Sequence, residues 1–476
     1  MALGIFSVSL WQPWLERDPK QVALNHAGQT LTWQALDSQV AHYAKALREQ
    51  GVRSGEVVTL VGKNHLHTVL WFLACTQVGA LCAFVAPQPL ARLQEKLATL
   101  YAEQSPKHLW LAPSCALSEE EIAELNAHRL SLPDERDESV GGEKVSSQFS
   151  CEQLATLIFT SGSTGTPKAV AHTHQQHLVS ARGLLNKFVF TESDSWLLSL
   201  PLYHISGVAI LYRWLAVGAT LKIGTGDLQN DIAGVTHASL VPTQLKRLLD
   251  SSSPLTLKRV LLGGSHIPVE LAQMAATRGI DTWLGYGMSE AASTVTAKRV
   301  DGLAGNGELL DHRELRLVDG RIFIAGKTLA QGYYRQGQLV PLTNEQGWFD
   351  SKDLGRWQGN NLLIDGRADN LFISGGENVH CEEIEAVLNQ HPHVQVAIVI
   401  PVQDSEFGAR PVAVIRSEAE WCQAIGDTWC QGKLEKFKWP IMYFLLPDAL
   451  LDEGIKVSRA AVKAWLAANQ TQFTPL

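Results

Sequence analysis

The apolar run Leu154–Phe159 opens directly into Thr160-Ser161-Gly162-Ser163-Thr164-Gly165-Thr166-Pro167-Lys168. A buried strand that ends in hydroxyls, glycines and a lysine has few uses. Glycines let the backbone approach a polyphosphate, successive N–H groups and hydroxyls donate to it, and the lysine adds a mobile positive charge. The segment differs from a Walker A loop, because no Ser or Thr follows Lys168 and Pro167 with Ala169-Val170-Ala171 reads as strand rather than helix onset. A Ser/Gly-rich surface turn is the bland alternative, and the buried strand in front of it weighs against that.

Around this loop, helical and strand patterns alternate. Leu31–Glu49 has helical period and Val57–Gly62 is a short apolar strand, which favours a layered α/β architecture. Val69–Val85 is apolar except for Thr76 and Gln77, but Gly79 divides it into a buried helix and the strand Ala80–Val85, each too short for a ~20-residue membrane span. Ser118–Gln148 turns polar and reads as a helix and then an exposed connector. Asp319-Gly320 and Gly359-Asn360 mark hairpin turns. Beyond Arg367 the pattern changes to a helix at Cys381–Gln390, strands at Val394–Ile400 and Pro411–Ile415, and a last helix at Arg459–Ala468. A domain boundary is therefore expected at Gly366–Asp369, with units 1–366 and 367–476. No 20–50-residue period recurs, which excludes solenoids and propellers.

Charge narrows the partners. Lys plus Arg total 40 against 48 for Asp plus Glu, a net charge of −8, so no basic face for nucleic acid is expected. The seven cysteines are scattered without a C-x-x-C pair, and the first 18 residues lack a basic start before an apolar run. Reduced thiols, a cytoplasmic location and no membrane insertion are the expectation. Homo-oligomerisation is left open.

The loop resembles the phosphate-binding signature of the adenylate-forming acyl-CoA synthetase superfamily, and further motifs follow in that family's order. Pro201-Leu202-Tyr203-His204 is similar to its substrate-side motif, Gly285-Tyr286-Gly287-Met288-Ser289-Glu290 to its Tyr-Gly-x-Thr-Glu motif, and Trp348-Phe349-Asp350 through Asp353-Leu354-Gly355 to its ribose motif. Gly366-Arg367-Ala368-Asp369 and Ser374-Gly375-Gly376-Glu377-Asn378 resemble the hinge and the loop behind it, and Gly454-Ile455-Lys456 the C-terminal Gly-Lys motif with one residue interposed. The resemblance implies a large layered N-terminal domain and a smaller mobile α+β C-terminal domain. It also implies ATP, Mg²⁺ and CoA as reactants with a small-molecule carboxylate.

Roles follow from the resemblance residue by residue. Thr160, Ser161, Gly162, Ser163, Thr164, Gly165 and Lys168 would hold phosphates, and Glu290 would supply a hard oxygen to Mg²⁺. Tyr286 would face adenine, with Gly263-Gly264-Ser265 as the other wall and Gly287 and Ser289 beside them. Asp353 would accept from the ribose hydroxyls with Arg367 nearby. Lys456 would meet the α-phosphate and the attacking carboxylate, Asp369 would be the hinge, and Gly375, Gly376 and Glu377 would line a pantetheine tunnel. The acid would lie by His204, Ser206, Gly263 and Gly264.

One residue bears on the acid itself. Gly207–Val217 is apolar on nearly every side yet contains Arg213, which shares a helical face with Ser206 and Ile210. A buried guanidinium requires an anion, either a core Asp or Glu or a second carboxylate on the substrate. Ser195–His204, Thr236–Leu245 and the compact length resemble family members that act on an aromatic dicarboxylate. A general aryl- or medium-chain acyl-CoA ligase and a protein that loads a carrier remain alternatives. His172, His174 and His177 have no Cys or carboxylate nearby to complete a metal set, so capping or surface roles are expected; Trp421-Cys422 and Trp429-Cys430, eight residues and hence two helical turns apart, are expected to pack in a core.

Overall fold

Val57–Val61 and Leu81–Val85 are buried along their whole length, as strands covered on both faces must be. They pair in parallel with each other, and onward to His108–Leu111 and Leu154–Thr160, at the centre of an eight-stranded sheet. Residues 9–133, 149–160, 167–251, 253–263, 267–450 and 457–469 are described in a computed structural model of the chain. A second, nine-stranded sheet contains the parallel run Ser195–Leu197, His237–Leu240, Arg259–Leu262 and Asp281–Met288. The fold is α/β.

Side-chain alternation decides what lies between the layers. Cys82 and Phe84 join a large shared core, whereas Leu81, Ala83 and Val85 join a second core with Leu93, Leu97 and Leu100 of the helix Leu90–Leu100. From the other sheet Trp196 and Leu221 face the shared core, while Ala238, Leu240, Val260 and Leu262 face outward against Leu245, Leu248 and Leu271. Helices Leu66–Val78 and Ile205–Val217 therefore lie between two sheets, which is why both are apolar nearly all round. Trp33 stacks on Trp214 at 5.5 Å and 14°, tying helix Trp33–Glu49 to that layer.

The turn chemistry holds. Gly79 ends its helix at φ +81°, a left-handed position suited to glycine, and the strand Leu81–Val85 follows. Asp319 and Gly320 both take positive φ between Arg313–Val318 and Arg321–Gly326, and Gly359 does so between Phe349–Gln358 and Asn361–Arg367. These strands form a four-stranded antiparallel sheet. No helix among the described residues is long and apolar enough to cross a membrane. All seven cysteines are unpaired.

Past Arg367 a five-stranded sheet begins at Leu371. Helix Cys381–Leu388 and the long strands Val394–Asp404 and Gly408–Ser417 build its core with Tyr443, Trp421 and Cys430. Both strands run several residues beyond the apolar segments that marked them in sequence. The Trp–Cys pairs do not share one helix, since that helix runs Gln423–Cys430 and Trp421 precedes it.

The three histidines need a correction. They hold neither surface nor capping roles: all are buried, His174 and His177 against Tyr212 of helix Ile205–Val217 and His172 against His177, and Thr173 is the residue that caps helix His174–Leu185. His177 Nε2 lies 2.7 Å from Thr156 Oγ1 and its ring stacks on Tyr212, whose hydroxyl is 2.8 Å from His174 Nδ1. Among the described residues no cluster of His, Cys, Asp and Glu can hold a metal. Burial pulls His172 and His174 from the ordinary 6.5 down to about 3. Between those values the unfolded chain binds protons that the folded chain does not, so stability declines as pH falls below about 6.5 and is level above it. Urea unfolding at pH 7.5, 6.0 and 5.0 should show that loss, of order 1.4 kcal/mol per pH unit for each histidine; His172→Gln should make it shallower.

Candidate active site

Ligands of open α/β sheets bind beyond the carboxyl ends of parallel strands, and three of the motif segments lie there. In the nine-stranded sheet, Ser195–Leu197 leads into the Pro201–His204 segment, Arg259–Leu262 into Gly263, and Asp281–Met288 carries Tyr286 near its end. The four parallel strands share direction, so these positions open on one edge. In the eight-stranded sheet, Thr160 closes its strand directly opposite Lys168, the first residue of the antiparallel strand Lys168–Thr173. Lys168 thus begins a strand, not a helix. Ser161, Gly162, Ser163, Thr164 and Gly165 lie outside the described residues, as do Gly264, Ser265 and Lys456.

The two motif glycines have a packing cause. A Cβ on Gly287 would lie 1.9 Å from the Ser293 carbonyl oxygen, and one on Gly285 would lie 2.5 Å from that of Thr296. The returning strand Ser293–Arg299 hugs this backbone across a bulge at Tyr286/Gly287. Gly207 likewise admits the Pro201 carbonyl, 2.1 Å from where a Cβ would stand, bringing the Pro201–His204 segment onto helix Ile205–Val217. His204 immediately precedes that helix, edge-on to Tyr203 at 4.9 Å. Asn64 secures the same segment: its amide donates to the Leu198 and Leu200 carbonyls, and its oxygen accepts from Leu202 N–H.

Two polar chains run through the site. In the first, Tyr286 donates its hydroxyl to Asp353 Oδ2 at 2.6 Å, Arg367 approaches Asp353 Oδ1 at 3.3 Å, and Arg367 Nε donates to Asp369 Oδ1 at 2.9 Å. Burial, then the Asp353 charge, raises the Tyr286 hydroxyl well above its ordinary value, so it donates at neutral pH. Burial also raises Asp353, outweighing Tyr286 and Arg367, whereas Arg367 overcomes partial burial to hold exposed Asp369 low. In the second, Glu290, in the short turn Ser289–Ala291, accepts from the Tyr333 hydroxyl at 3.1 Å, and Lys168 Nζ stands 5.4 Å from the Tyr333 ring centroid. Glu290 and Lys168, 122 positions apart by number, are brought to one tyrosine.

Arg213 is 3% exposed. Its terminal nitrogen reaches Thr294 Oγ1 at 3.4 Å, its guanidinium lies 5.2 Å from the Trp196 ring centroid, and its buried Nε has no hydrogen-bond partner among the described residues. No acidic side chain among those residues pairs with it. Burial, then the nearby Arg313 charge, lowers it to about 9, so it remains a cation at neutral pH. Arg313 is also buried, but carbonyls satisfy it: those of Thr294, Asp311 and Ser180 all accept from its guanidinium. Thr294 pairs with Gly287 across the strands, which puts Arg213 one contact from the Tyr286 motif. Ser206, on the same helix face, is half-buried.

The Gly375-Gly376 pair forms a tight hairpin turn, both at positive φ, between Leu371–Ser374 and Glu377–His380. Its backbone bond goes to the Phe407 carbonyl, and Glu377 is exposed. Among the described residues no hydrogen bond joins this loop to Tyr286, Glu290 or Arg213. The sequence motifs missed Tyr333, Asn64 and Arg313. Gly332-Tyr333 follows the hairpin Arg313–Gly326 and pairs with Lys168–Thr173 only in three dimensions.

A magnesium ion suits a single carboxylate with phosphate and water as its other ligands, and Glu290, held through one oxygen by Tyr333, matches that donor set. The family model described as AMP-binding enzyme matches residues 11–334. A 2-succinylbenzoate–CoA ligase of Salmonella typhimurium is 42% identical over 464 residues, covering 96% of this chain and 98% of its own. Among solved structures, a variant of E. coli MenE with bound OSB-AMS is 39% identical at TM-score 0.85, covering 97% of this chain and 99% of its own. A Bacillus subtilis o-succinylbenzoate CoA synthetase in complex with ATP and magnesium ion is 25% identical at TM-score 0.79, over 92% and 95%. With an AMP-binding model over most of its length and a near-full-length relative above 40% identity, the chain belongs to the 2-succinylbenzoate–CoA ligase family of AMP-forming acyl-CoA ligases.

Proposed function

We propose that this chain converts 2-succinylbenzoate and CoA to 2-succinylbenzoyl-CoA through an acyl-adenylate, releasing AMP and pyrophosphate, in menaquinone biosynthesis. The observation that carries the choice of acid is Arg213, a buried cation beside the Tyr286 motif with no carboxylate partner among the described residues. A monocarboxylate activated at its only acid group would leave that charge uncompensated. The idle benzoate carboxylate of 2-succinylbenzoate supplies the anion, and the planar guanidinium matches it with two parallel donors. Unpaired cysteines support a reducing compartment, the cytoplasm.

In the first half-reaction a carboxylate oxygen attacks the α-phosphorus and the bond to pyrophosphate breaks. An anion thus approaches a polyanion, so positioning and charge neutralisation are what the protein must supply. Lys168 and the Thr160–Gly165 loop hold phosphates, Glu290 holds the metal, and Asp353 with Arg367 holds the ribose beside Tyr286. Magnesium, when bound, neutralises charge on the phosphate oxygens. His204 and Ser206 border the acid with Gly263, and Lys456 neutralises the attacking carboxylate and α-phosphate. In the second half-reaction the C-terminal unit, 367–476, turns about Asp369 so that Gly375, Gly376 and Glu377 line the path of the CoA thiol, which displaces AMP.

Pyrophosphate release measured with 2-succinylbenzoate, benzoate and octanoate, each with and without CoA, should show a strong preference for the dicarboxylate. Preference for either monoacid defeats the assignment of the acid but leaves the ligase chemistry standing. Arg213→Lys, which keeps the charge and loses the fork, should raise the KM for 2-succinylbenzoate by about tenfold with the KM for ATP unchanged. Lys456→Ala should cripple adenylate formation yet spare thioester formation from supplied adenylate; equal loss of both halves contradicts its role. Asp369→Pro, which fixes φ at the turn, should retain adenylation and abolish CoA transfer, read as adenylate accumulating without thioester.

A further inference from the structure

We infer that Tyr333 is a positioning residue for the metal-binding carboxylate: its hydroxyl fixes Glu290 while its ring face holds the Lys168 ammonium. The inference rests on the roles proposed above for Glu290 and Lys168 and adds a residue to the same site. Three observations carry it. The Tyr333 hydroxyl donates to Glu290 Oε1 at 3.1 Å, which occupies one carboxylate oxygen and leaves the other without a hydrogen-bond partner among the described residues. Lys168 Nζ lies 5.4 Å from the ring centroid, within range of an attraction between an ammonium and an aromatic face. The strand Gly332–Arg335 is itself fixed against Lys168–Thr173, with Tyr333 opposite Val170 and Tyr334 opposite Ala169.

Local backbone contacts hold the geometry. Ala330 N–H donates to the Glu290 carbonyl at 2.8 Å and Gln331 N–H to that of Ala171 at 2.9 Å, so the turn before Tyr333 is tied to Glu290 and to the strand that Lys168 begins. A Cβ on Gly332 would stand 2.6 Å from the Val340 carbonyl oxygen, so only glycine lets the flanking strand close at this point. The Glu290 carboxylate and Lys168 carry opposite charges and are offered to one polyphosphate–metal complex. A tyrosine between them keeps each available, because a hydroxyl and a ring face restrain the two groups without neutralising either. Groups that orient metal-binding side chains in this way commonly change metal affinity by about 10–100-fold when removed.

The test uses the purified full-length chain with ATP and reads binding rather than turnover. Mn²⁺, a spectroscopic substitute for Mg²⁺, is titrated into the protein–ATP mixture and followed by electron paramagnetic resonance. Tyr333→Phe, which keeps the ring and loses the hydroxyl, should weaken protein-bound Mn²⁺ by about tenfold, with metal-free ATP affinity and the thermal unfolding midpoint near those of the parent. Tyr333→Leu should in addition weaken metal-free ATP binding, since Lys168 loses its platform. Glu290→Gln is measured in parallel. If Glu290→Gln weakens Mn²⁺ and Tyr333→Phe does not, the role of Tyr333 is overturned while that of Glu290 stands. If neither does, the reading of Glu290 fails and takes this inference with it. Loss of stability in Tyr333→Phe with unaltered Mn²⁺ affinity assigns Tyr333 a purely structural role and also overturns the inference.

Discussion

Two helices without a polar face determine how this molecule is assembled. Leu66–Val78 and Ile205–Val217 bury nearly every side chain, and a single covering sheet cannot accomplish that. Placing a sheet on each side does. The shared core holds Trp33, Trp71, Trp196 and Trp214, so the largest side chains of the protein sit where both sheets and both helices meet. This arrangement also sets the local chemistry, because a charge carried on either helix is taken out of water by the same packing.

Arg213 is the consequence. Its neighbour in charge, Arg313, is satisfied by fixed carbonyl dipoles, and Gly183 gives it room, since a Cβ there would be 2.1 Å from the Arg313 guanidinium. Among the described residues Arg213 has only Thr294 and the face of Trp196. Of two buried guanidinium groups near one another, Arg313 is satisfied, whereas Arg213 keeps an unpartnered nitrogen among the described residues. The repulsion between them is mutual, and the difference lies in the carbonyls that accept from Arg313.

The remaining charges are graded by exposure. Asp353 is buried and held by a hydroxyl and a guanidinium, while Asp369, two residues past Arg367, is exposed and paired to that same arginine. Arg367 therefore bridges the end of the four-stranded sheet and the short turn Ala368–Asn370 from which the five-stranded sheet departs. One side chain, Arg367, thus joins the buried Asp353 to the exposed Asp369.

Much of this was legible in the chain itself. Apolar runs ending in Gly79 or flanking Asp319-Gly320 marked elements correctly, because helix termination and tight turns depend on φ at a single residue, which is a local property. The order of the motifs marked the family. What local pattern could not contain was pairing across the fold. The histidines at 172, 174 and 177 are hydrophilic by type, and only packing against one another and Tyr212 makes them core residues. Tyr333 acquires meaning from Glu290 and Lys168, and Arg213 from the lack of an acid among the described residues around it. Short-range backbone preferences were written in the order of residues. The company each buried charge keeps was decided by tertiary packing, since desolvation and hydrogen bonding depend on distance in space and not on separation along the chain.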